Sequence, residues 1–427
     1  MSRKTIRIGV FGGLRGAGFI KYYKMIKGVK VVALCEKNEK TVEDLKTKGI
    51  LDDSIAVYPD FETFIDSGMD AVVLANFFHE HAKYAKIALA KKINVLSETT
   101  AAPTLGECVE LCQAVEKSHK KYMLAANTSM MPGPSELRRI AQSGELGQIF
   151  YGEAEYLHPW ADRPNCTLGG KPEDYLHWRK HTPRTYYNMH SLGALMEITN
   201  TVPVRVSGKC VYAPRYCSEM NQPYTGDVHS ITIAEMDNGA VFTATGCSSI
   251  GPHSKWFRIS GENGNAETLR FDEKGVRIDY MKYAIPEELG EESFKKYYPE
   301  NAGKTSGLFT DKEYKMFEQT AGMGKPSGHI GGCDFWIALK FLKYLRGELE
   351  PFFTVYRACA LSAAAILAFR SVQNNGREYE IPDFSNKRTR RKYLKDKESP
   401  FPKEDGSFDF EPCSHPDYDF FKKQENK

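Results

Sequence analysis

Two tyrosine–histidine pairs stand in this chain at spacings that put both side chains on one face of an element. Tyr187 and His190 are three apart, which is one side of a helical turn, so both can point at a single ligand. Tyr156 and His158 are two apart, which is one face of a strand. A phenol and an imidazole aimed at one ligand are groups that move protons. Arg179 adds a planar cation able to hold a hydroxyl or a carboxylate.

A third constellation reads as binding. The run Ile6-Arg7-Ile8-Gly9-Val10-Phe11 ends in Gly12, Gly13, Leu14, Arg15 and Gly16, and an apolar helix-like segment follows. A second run, Val29 to Cys35, ends at Glu36. Strand, glycine turn, helix, second strand and an acid about 20 residues on form the layout of a dinucleotide-binding unit. The glycines let the backbone approach a pyrophosphate, and the helix N-terminus stabilises its charge. Counted back from Gly16, the first glycine place falls on Phe11, with Gly12 one position late. Glu36 can accept from ribose hydroxyls and would repel a 2′-phosphate, which argues for NAD over NADP. Lys37 beside it weakens that preference a little.

These groups need a frame. The first part alternates strand and helix patterns. Asp70 to Asn76 reads as a buried strand, His81 to Lys91 as a helix, and Ile93 to Leu96 as a strand ending at Ser97-Glu98. Thr104 and Glu107 have capping-box spacing before another helix, and Tyr122 to Asn127 is the next strand. Regular βα alternation predicts an α/β fold with a doubly wound parallel sheet, whose ligands sit at the carboxyl ends of strands. Gly12, Gly13, Glu36, Asn76, Glu98 and Asn127 all stand at such ends.

The pattern changes near residue 148. Phe150 to Tyr156, Ser230 to Met236, Ala240 to Thr245 and Trp256 to Gly261 are strand-like, and Asp237-Asn238-Gly239 marks a hairpin. The second domain is therefore α+β, with an open, largely antiparallel sheet closed by helices over 335–345 and 355–372. The domains run 1–147 and 148–384. The charged, proline-containing tail 385–427 is an extended wrap or partly disordered.

Composition sets limits. The chain has 427 residues, which suits two domains, and 58 basic against 55 acidic residues, which points to no nucleic acid. No uninterrupted apolar run of 18 residues is present, so no membrane partner is expected. Met1 to Lys4 leads straight into the first strand without a signal-peptide pattern. The ten cysteines lack metal-ligand spacing, and Cys35 and Cys112 lie in apolar patterns. Reduced thiols, a cytoplasmic location and no bound metal are the expectations.

Several stretches resemble the Gfo/Idh/MocA oxidoreductases over roughly residues 5–384. Asp70 to Asn76 with His81 is similar to the family's third strand and following histidine. Val95-Leu96-Ser97-Glu98 is similar to the strand leading to its Glu-Lys-Pro motif. His190 with Pro203-Val204-Arg205-Val206, His329 to Phe335 and Glu380 to Phe384 complete the likeness. The resemblance implies that Asn76, His81, Glu98 and Asn127 join the glycine turn and Glu36 in holding NAD. It departs at Thr99, which stands where the family's proton-transferring lysine would be, and at Tyr186, which replaces an acid four residues before the histidine.

A narrower branch is closer. Ser97-Glu98-Thr99-Thr100-Ala101, Tyr156-Leu157-His158, Tyr175 to Arg179 and Tyr187 to Gly193 resemble segments of the NAD-dependent α-N-acetylgalactosaminidase glycosidases. Those enzymes have a Glu-Asn pair and a nearby tyrosine where this chain has Ala126-Asn127 and Ser129-Met130. The resemblance implies oxidation of a ring hydroxyl carbon, removal of the acidified neighbouring proton, expulsion of the C1 substituent, hydration and reduction. It places Tyr187, His190, Tyr156, His158 and Arg179 in catalysis on a small carbohydrate. It also implies a homo-oligomer, dimer or tetramer, formed through the second domain's sheet. A simple sugar or inositol dehydrogenase and a non-catalytic NAD-binding sensor are the competing expectations. The substrate loops are expected between Trp160 and Pro172 and between Tyr280 and Gly328.

Overall fold

The computed structural model describes residues 5–158, 177–213, 226–248, 252–270, 272–299, 307–321, 332–403 and 405–415. The Trp160–Pro172 loop, parts of the 280–328 segment, Tyr175 and His329 lie outside the described residues.

The first sheet contains β1 (Ile6–Phe11), β2 (Val29–Cys35), β3 (Ala56–Tyr58), β4 (Ala71–Leu74), β5 (Asn94–Ser97) and β6 (Tyr122–Leu124). Between and after them run α1 (Gly13–Met25), α2 (Glu39–Thr47), α3 (Phe61–Phe64), α4 (His81–Ala90), α5 (Leu105–Ser118) and α6 (Pro132–Ser143). All neighbours pair parallel in the order β3-β2-β1-β4-β5-β6. The order reverses between β1 and β4, so a crevice opens at their carboxyl ends. Strand β4 is buried on both faces, as its continuous apolar run requires. Thr104 caps α5 by accepting from the Glu107 amide at 3.2 Å. The Glu107 carboxylate takes the Thr104 hydroxyl at 3.0 Å instead of reaching back to the backbone.

The second sheet is built from β7 (Ile149–Leu157), β8 (Pro203–Tyr212), β9 (Asp227–Met236), β10 (Val241–Ser248), β11 (Ser254–Gly261), β12 (Gly264–Leu269), β13 (Asp272–Tyr280), β14 (Phe294–Tyr297) and β15 (Tyr379–Glu380). Its order is β14-β13-β12-β11-β7-β10-β9-β8-β15. Only the β7–β10 pair is parallel among the described pairings. The expected hairpin joins β9 to β10, with Gly239 at φ +83°.

The helices of this half are α7 (Leu192–Thr199), α8 (Asp311–Ala321), α9 (Cys333–Leu345), α10 (Val355–Gln373) and α11 (Lys387–Arg391). One expectation needs correction here. Helix α9 does not close the second sheet. It lies on α1, where Phe335 meets Tyr22 edge-on at 5.6 Å, and it shares a core with Ile8, Val10 and Phe19. Its apolar residues cover a face of the first sheet that α1 alone leaves bare. Helix α10 is long and apolar enough to cross a membrane by composition, yet 83% of its apolar window is buried in the fold. It packs on β8 and α5, close enough that a side chain at Gly208 would strike the Ala368 carbonyl at 2.7 Å.

The tail is a wrap over its described residues. Arg390 is buried and paired with Glu116 at 2.7 Å, and Arg370 binds Asp396. Ser414 donates its amide to Asp227 at 2.9 Å.

Candidate active site

The crevice begins at the glycine turn. Gly12 has φ +96°, and a Cβ there would lie 2.4 Å from the Ala75 carbonyl oxygen, so only glycine fits. A Cβ at Gly16 would lie 2.4 Å from Val10 Cγ1, so this glycine lets α1 sit against β1. The two demanding positions are thus Gly12 and Gly16, which explains the shifted spacing. Glu36 accepts from the Gly13 amide at 2.8 Å and from the Asn38 amide at 2.9 Å. Each carboxylate oxygen retains a further lone pair for a ribose hydroxyl.

Three neighbouring cavities share Asn76 in their walls. One of about 290 Å³ lies beside Glu36, Lys37, Phe61 and Tyr84. One of about 380 Å³ passes Gly12, Leu14, Arg15 and Ala75 to Arg179. The third, about 130 Å³, is lined by Arg15, His81, Glu98, Thr99 and Asn127 on one side and Tyr156, His158, Arg179, Tyr187 and His190 on the other. All five expected acid–base or cation residues therefore line one pocket at the end of the nucleotide crevice. Gly13 and Gly16 stand behind the crevice rather than lining it.

Local structure explains the convergence. Tyr187 and His190 lie on a 3₁₀ turn, Arg184–His190, rather than on an α-helix. Three residues per turn eclipses positions three apart, and their rings are 5.8 Å apart. Arg179 donates to the Tyr187 phenol oxygen at 2.8 Å. Tyr156 stacks on His190 at 4.5 Å and 21°. Thr128, just beyond β6, is bonded to His190 Nδ1 at 3.2 Å. His158 lies at the end of β7 with its Nδ1 3.3 Å from that of His253. Phe78 stacks on Trp178 at 5.4 Å and on Tyr187 at 5.7 Å.

The opposite wall is charged and buried. Arg15 pairs with Glu98 at 2.5 Å and with Asp334 of α9 at 2.7 Å. Asn127 donates to Asp334 at 3.1 Å. Burial pushes the Glu98 carboxyl up, opposed by Arg15 and reinforced by Asp334. His81 Nδ1–H donates to the Thr100 carbonyl at 3.0 Å, and burial lowers its pKa to about 4, so it is a neutral imidazole. The Thr99–Thr100 peptide is cis. The Thr100 hydroxyl and the Ala101 amide both bond Ser362 of α10, at 2.7 and 3.1 Å.

Thr128, Phe78 and His253 escaped the sequence reading. The position of Thr128, directly after Asn127 at a strand end, was the available signal. Asp334 was legible within the family-like stretch His329 to Phe335, but its pairing with Arg15 was not. Among the described residues no three His, Cys, Asp or Glu side chains are grouped to hold a metal.

This fold and site define a nucleotide-dependent oxidoreductase with a two-sheet architecture. The NAD-binding Rossmann domain of the Gfo/Idh/MocA oxidoreductase family matches residues 6–126, and that family's C-terminal domain matches 135–267. The C-terminal domain of glycosyl hydrolase 109 matches 214–393. The chain belongs to the Gfo/Idh/MocA oxidoreductases and carries a glycosyl hydrolase 109 C-terminal domain. It is 25% identical to glycosyl hydrolase family 109 protein 1 of Bacteroides thetaiotaomicron, over 90% of this chain and 85% of that one. It is 26% identical to a family 109 protein of Streptomyces niveus, over 90% and 78%. Levoglucosan dehydrogenase in complex with NADH and levoglucosan superposes with a TM-score of 0.69 at 17% identity, over 88% and 99%. The chain is an enzyme, and its cofactor is NAD.

The crevice fits that cofactor. The Gly12 cradle, which a Cβ would fill, would receive the pyrophosphate, Glu36 would accept from the ribose, and Asn76 and Glu98 line the cavities toward the reacting end.

Proposed function

We propose that this enzyme cleaves a glycoside by a redox-neutral route. One observation carries the reading. Thr99 stands at the lysine place, and the described pocket lining holds no lysine, while two tyrosine–histidine pairs converge on it. A dehydrogenation needs one proton acceptor. A cleavage through a transient ketone needs three groups: a hydroxyl base, a base for the adjacent C–H and an acid for the leaving oxygen.

NAD held in the crevice would supply hydride acceptance and return at one ring carbon. His190, fixed by Thr128 and Tyr156, takes the proton from the ring hydroxyl as the carbonyl forms. The new carbonyl acidifies the neighbouring C–H. Removing that proton needs a stronger base than imidazole. Tyr187 supplies it, because the Arg179 guanidinium stabilises negative charge on its oxygen. His158 protonates the departing oxygen, and the C1–O bond breaks as the ring double bond forms. Water then adds to C1 and gives its proton back to His158, Tyr187 returns a proton to C2, and His190 returns one to the hydroxyl. No net redox change results.

The test is a panel of α- and β-linked aryl glycosides in deuterated water without added acceptor. The expected result is aglycone release, deuterium at C2 of the freed sugar and no steady rise of NADH absorbance. Steady NADH accumulation with intact glycoside would instead identify a simple dehydrogenase. The absence of both signals across the panel would overturn the cleavage reading in favour of an NAD-binding sensor.

The same reading includes a homo-oligomer through the outer face of the second sheet. Ile231, Ile233 and Val241 are exposed on adjacent strands there, which supports burial against a second copy. Light scattering of the purified enzyme tests it, and a monomer would refute it.

A further inference from the structure

We propose that Phe401, on the tail that follows the family matches, is a positioning residue that sets Phe78 and, through it, Tyr187. The proposal rests on the reading of Tyr187 as a catalytic base. The family matches end at residue 393, so nothing in them assigns this segment a role.

Phe401 is 2% exposed. Its ring lies 6.0 Å from Phe78, 5.1 Å from His79 and 5.8 Å from Tyr186. Phe78 stacks on Trp178 and on Tyr187. Phe401 therefore stands one ring behind two lining residues of the pocket, and it also touches the chain neighbour of Tyr187. Phe408 backs the adjoining turn. It packs on His181 at 4.7 Å, and His181 ends the short helix that begins at Trp178 and carries Arg179. The donor and acceptor of the Arg179–Tyr187 bond thus sit on two turns, each backed by a phenylalanine of the tail.

The tail is itself anchored. Ser399 donates to Asp409 at 3.0 Å and Lys403 pairs with the same carboxylate, which closes the loop that presents Phe401 and Phe408. Arg370 of α10 holds Asp396 on one side, and Asp227 of β9 holds Ser414 on the other. A ring held this way limits how far Phe78 can retreat. Its removal opens a cavity into which Phe78 and Tyr187 can drift, and a shift of about 1 Å at a reacting group costs on the order of 100-fold in rate.

The experiment compares Phe401→Ala and Phe401→Leu with Phe410→Ala. Phe410 packs on Phe369 of α10 at 6.0 Å, and neither ring lines the pocket, so it serves as a comparison loss of tail packing. Turnover of an aryl glycoside, NAD affinity and Tm are measured, together with the ¹⁹F resonance of 3-fluorotyrosine placed at position 187. Phe401→Ala should lower kcat about 100-fold, as a misplaced reacting group does, with KM and NAD affinity changed less than threefold. Phe401→Leu should lower kcat about tenfold, since it keeps volume and loses the flat ring. Both should move or split the Tyr187 resonance. Phe410→Ala should lower Tm and leave kcat and the resonance unchanged. Equal falls in kcat for Phe401→Ala and Phe410→Ala would overturn the proposal. So would a folded Phe401→Leu variant with wild-type kcat and an unmoved resonance. The fluorine comparison needs no substrate, so a protein that cleaves no glycoside refutes the proposed function and still leaves the role of Phe401 open to refutation.

Discussion

Arg179 and Tyr187 meet at 2.8 Å, the guanidinium donating to the phenol oxygen, and this bond ties two short 3₁₀ turns across the mouth of the pocket. The pairing gives a tyrosine an electrostatic partner at the end of a nucleotide crevice. His190 stands beside it with its own partner, Thr128, from the other side of the crevice. Acid–base chemistry is thus divided between two groups that are oriented separately.

That division predicts separable defects. Tyr187→Phe and His190→Ala should each lower kcat by about 10²–10⁴-fold with little change in Tm, as loss of an acid–base group does. Arg179→Lys should fall between them and wild type, because an ammonium replaces a planar fork with a point charge. Steady-state kinetics with thermal unfolding of the same samples checks this. Wild-type turnover in both Tyr187→Phe and His190→Ala would make the pair structural.

Glu36 holds the Gly13 amide and faces the nucleotide crevice. Glu36→Gln keeps the shape and removes the charge. NAD affinity should weaken about tenfold, because a hydrogen bond to a charged group contributes roughly 1.5–3 kcal/mol and part of it survives in the amide. The preference for NAD over NADP should shrink as repulsion of a 2′-phosphate disappears. Titration calorimetry with both nucleotides measures it. An unchanged ratio of the two affinities would remove Glu36 from cofactor selection.

The residues that sequence reading reached are those whose signal is local. Thr104 with Glu107, the turn at Asp237 to Gly239 and the strand–glycine–strand run each concern neighbours within one element or one turn. Tyr187 and His190 share a face because they stand three positions apart, whether the turn is α or 3₁₀. Contacts between distant segments left no such trace. Asp334 reads as a helix-start acid, and its meeting with Arg15 spans 319 positions. Helix α9 carries apolar residues nearly all round, so its pattern does not say which sheet it covers. The charge and proline content of the tail hid three phenylalanines, Phe401, Phe408 and Phe410, that dock on the body.

Buried histidines predict a loss of stability in acid. Burial lowers both His79 and His81 from 6.5 to about 4. Between those values the unfolded chain binds protons that the folded chain refuses, so stability is full above about 6.5 and falls as pH drops toward 4. For His81 alone the loss from pH 7 to 4.5 should be about 2–3 kcal/mol. His81→Gln cannot take up that proton, so its unfolding free energy should fall less than wild type over the same range. Urea unfolding of nucleotide-stripped protein at the two pH values provides the comparison. Parallel pH profiles would show that His81 does not titrate on unfolding.

Arg15 makes the sharpest demand on the fold. It carries one positive charge between two buried carboxylates, Glu98 at 2.5 Å and Asp334 at 2.7 Å, and Asp334 is fully buried. Arg15→Leu leaves both acids without their cation. Breaking a buried pair this way costs on the order of 3–5 kcal/mol. The buried Glu98 carboxyl, already pushed up, should then hold its proton to higher pH. A carboxyl raised above its unfolded value binds a proton more readily in the folded state. Its contribution is therefore lost as pH rises through the folded pKa, and Arg15→Leu should destabilise more at pH 8 than at pH 6. Adding Asp334→Asn removes one of the stranded charges and should recover part of the loss, giving a coupling of about 1–3 kcal/mol in a double-mutant cycle. Urea unfolding of the four proteins at both pH values measures it. Additive losses, or an Arg15→Leu variant as stable as wild type at pH 8, would mean that the three side chains do not act as one buried unit.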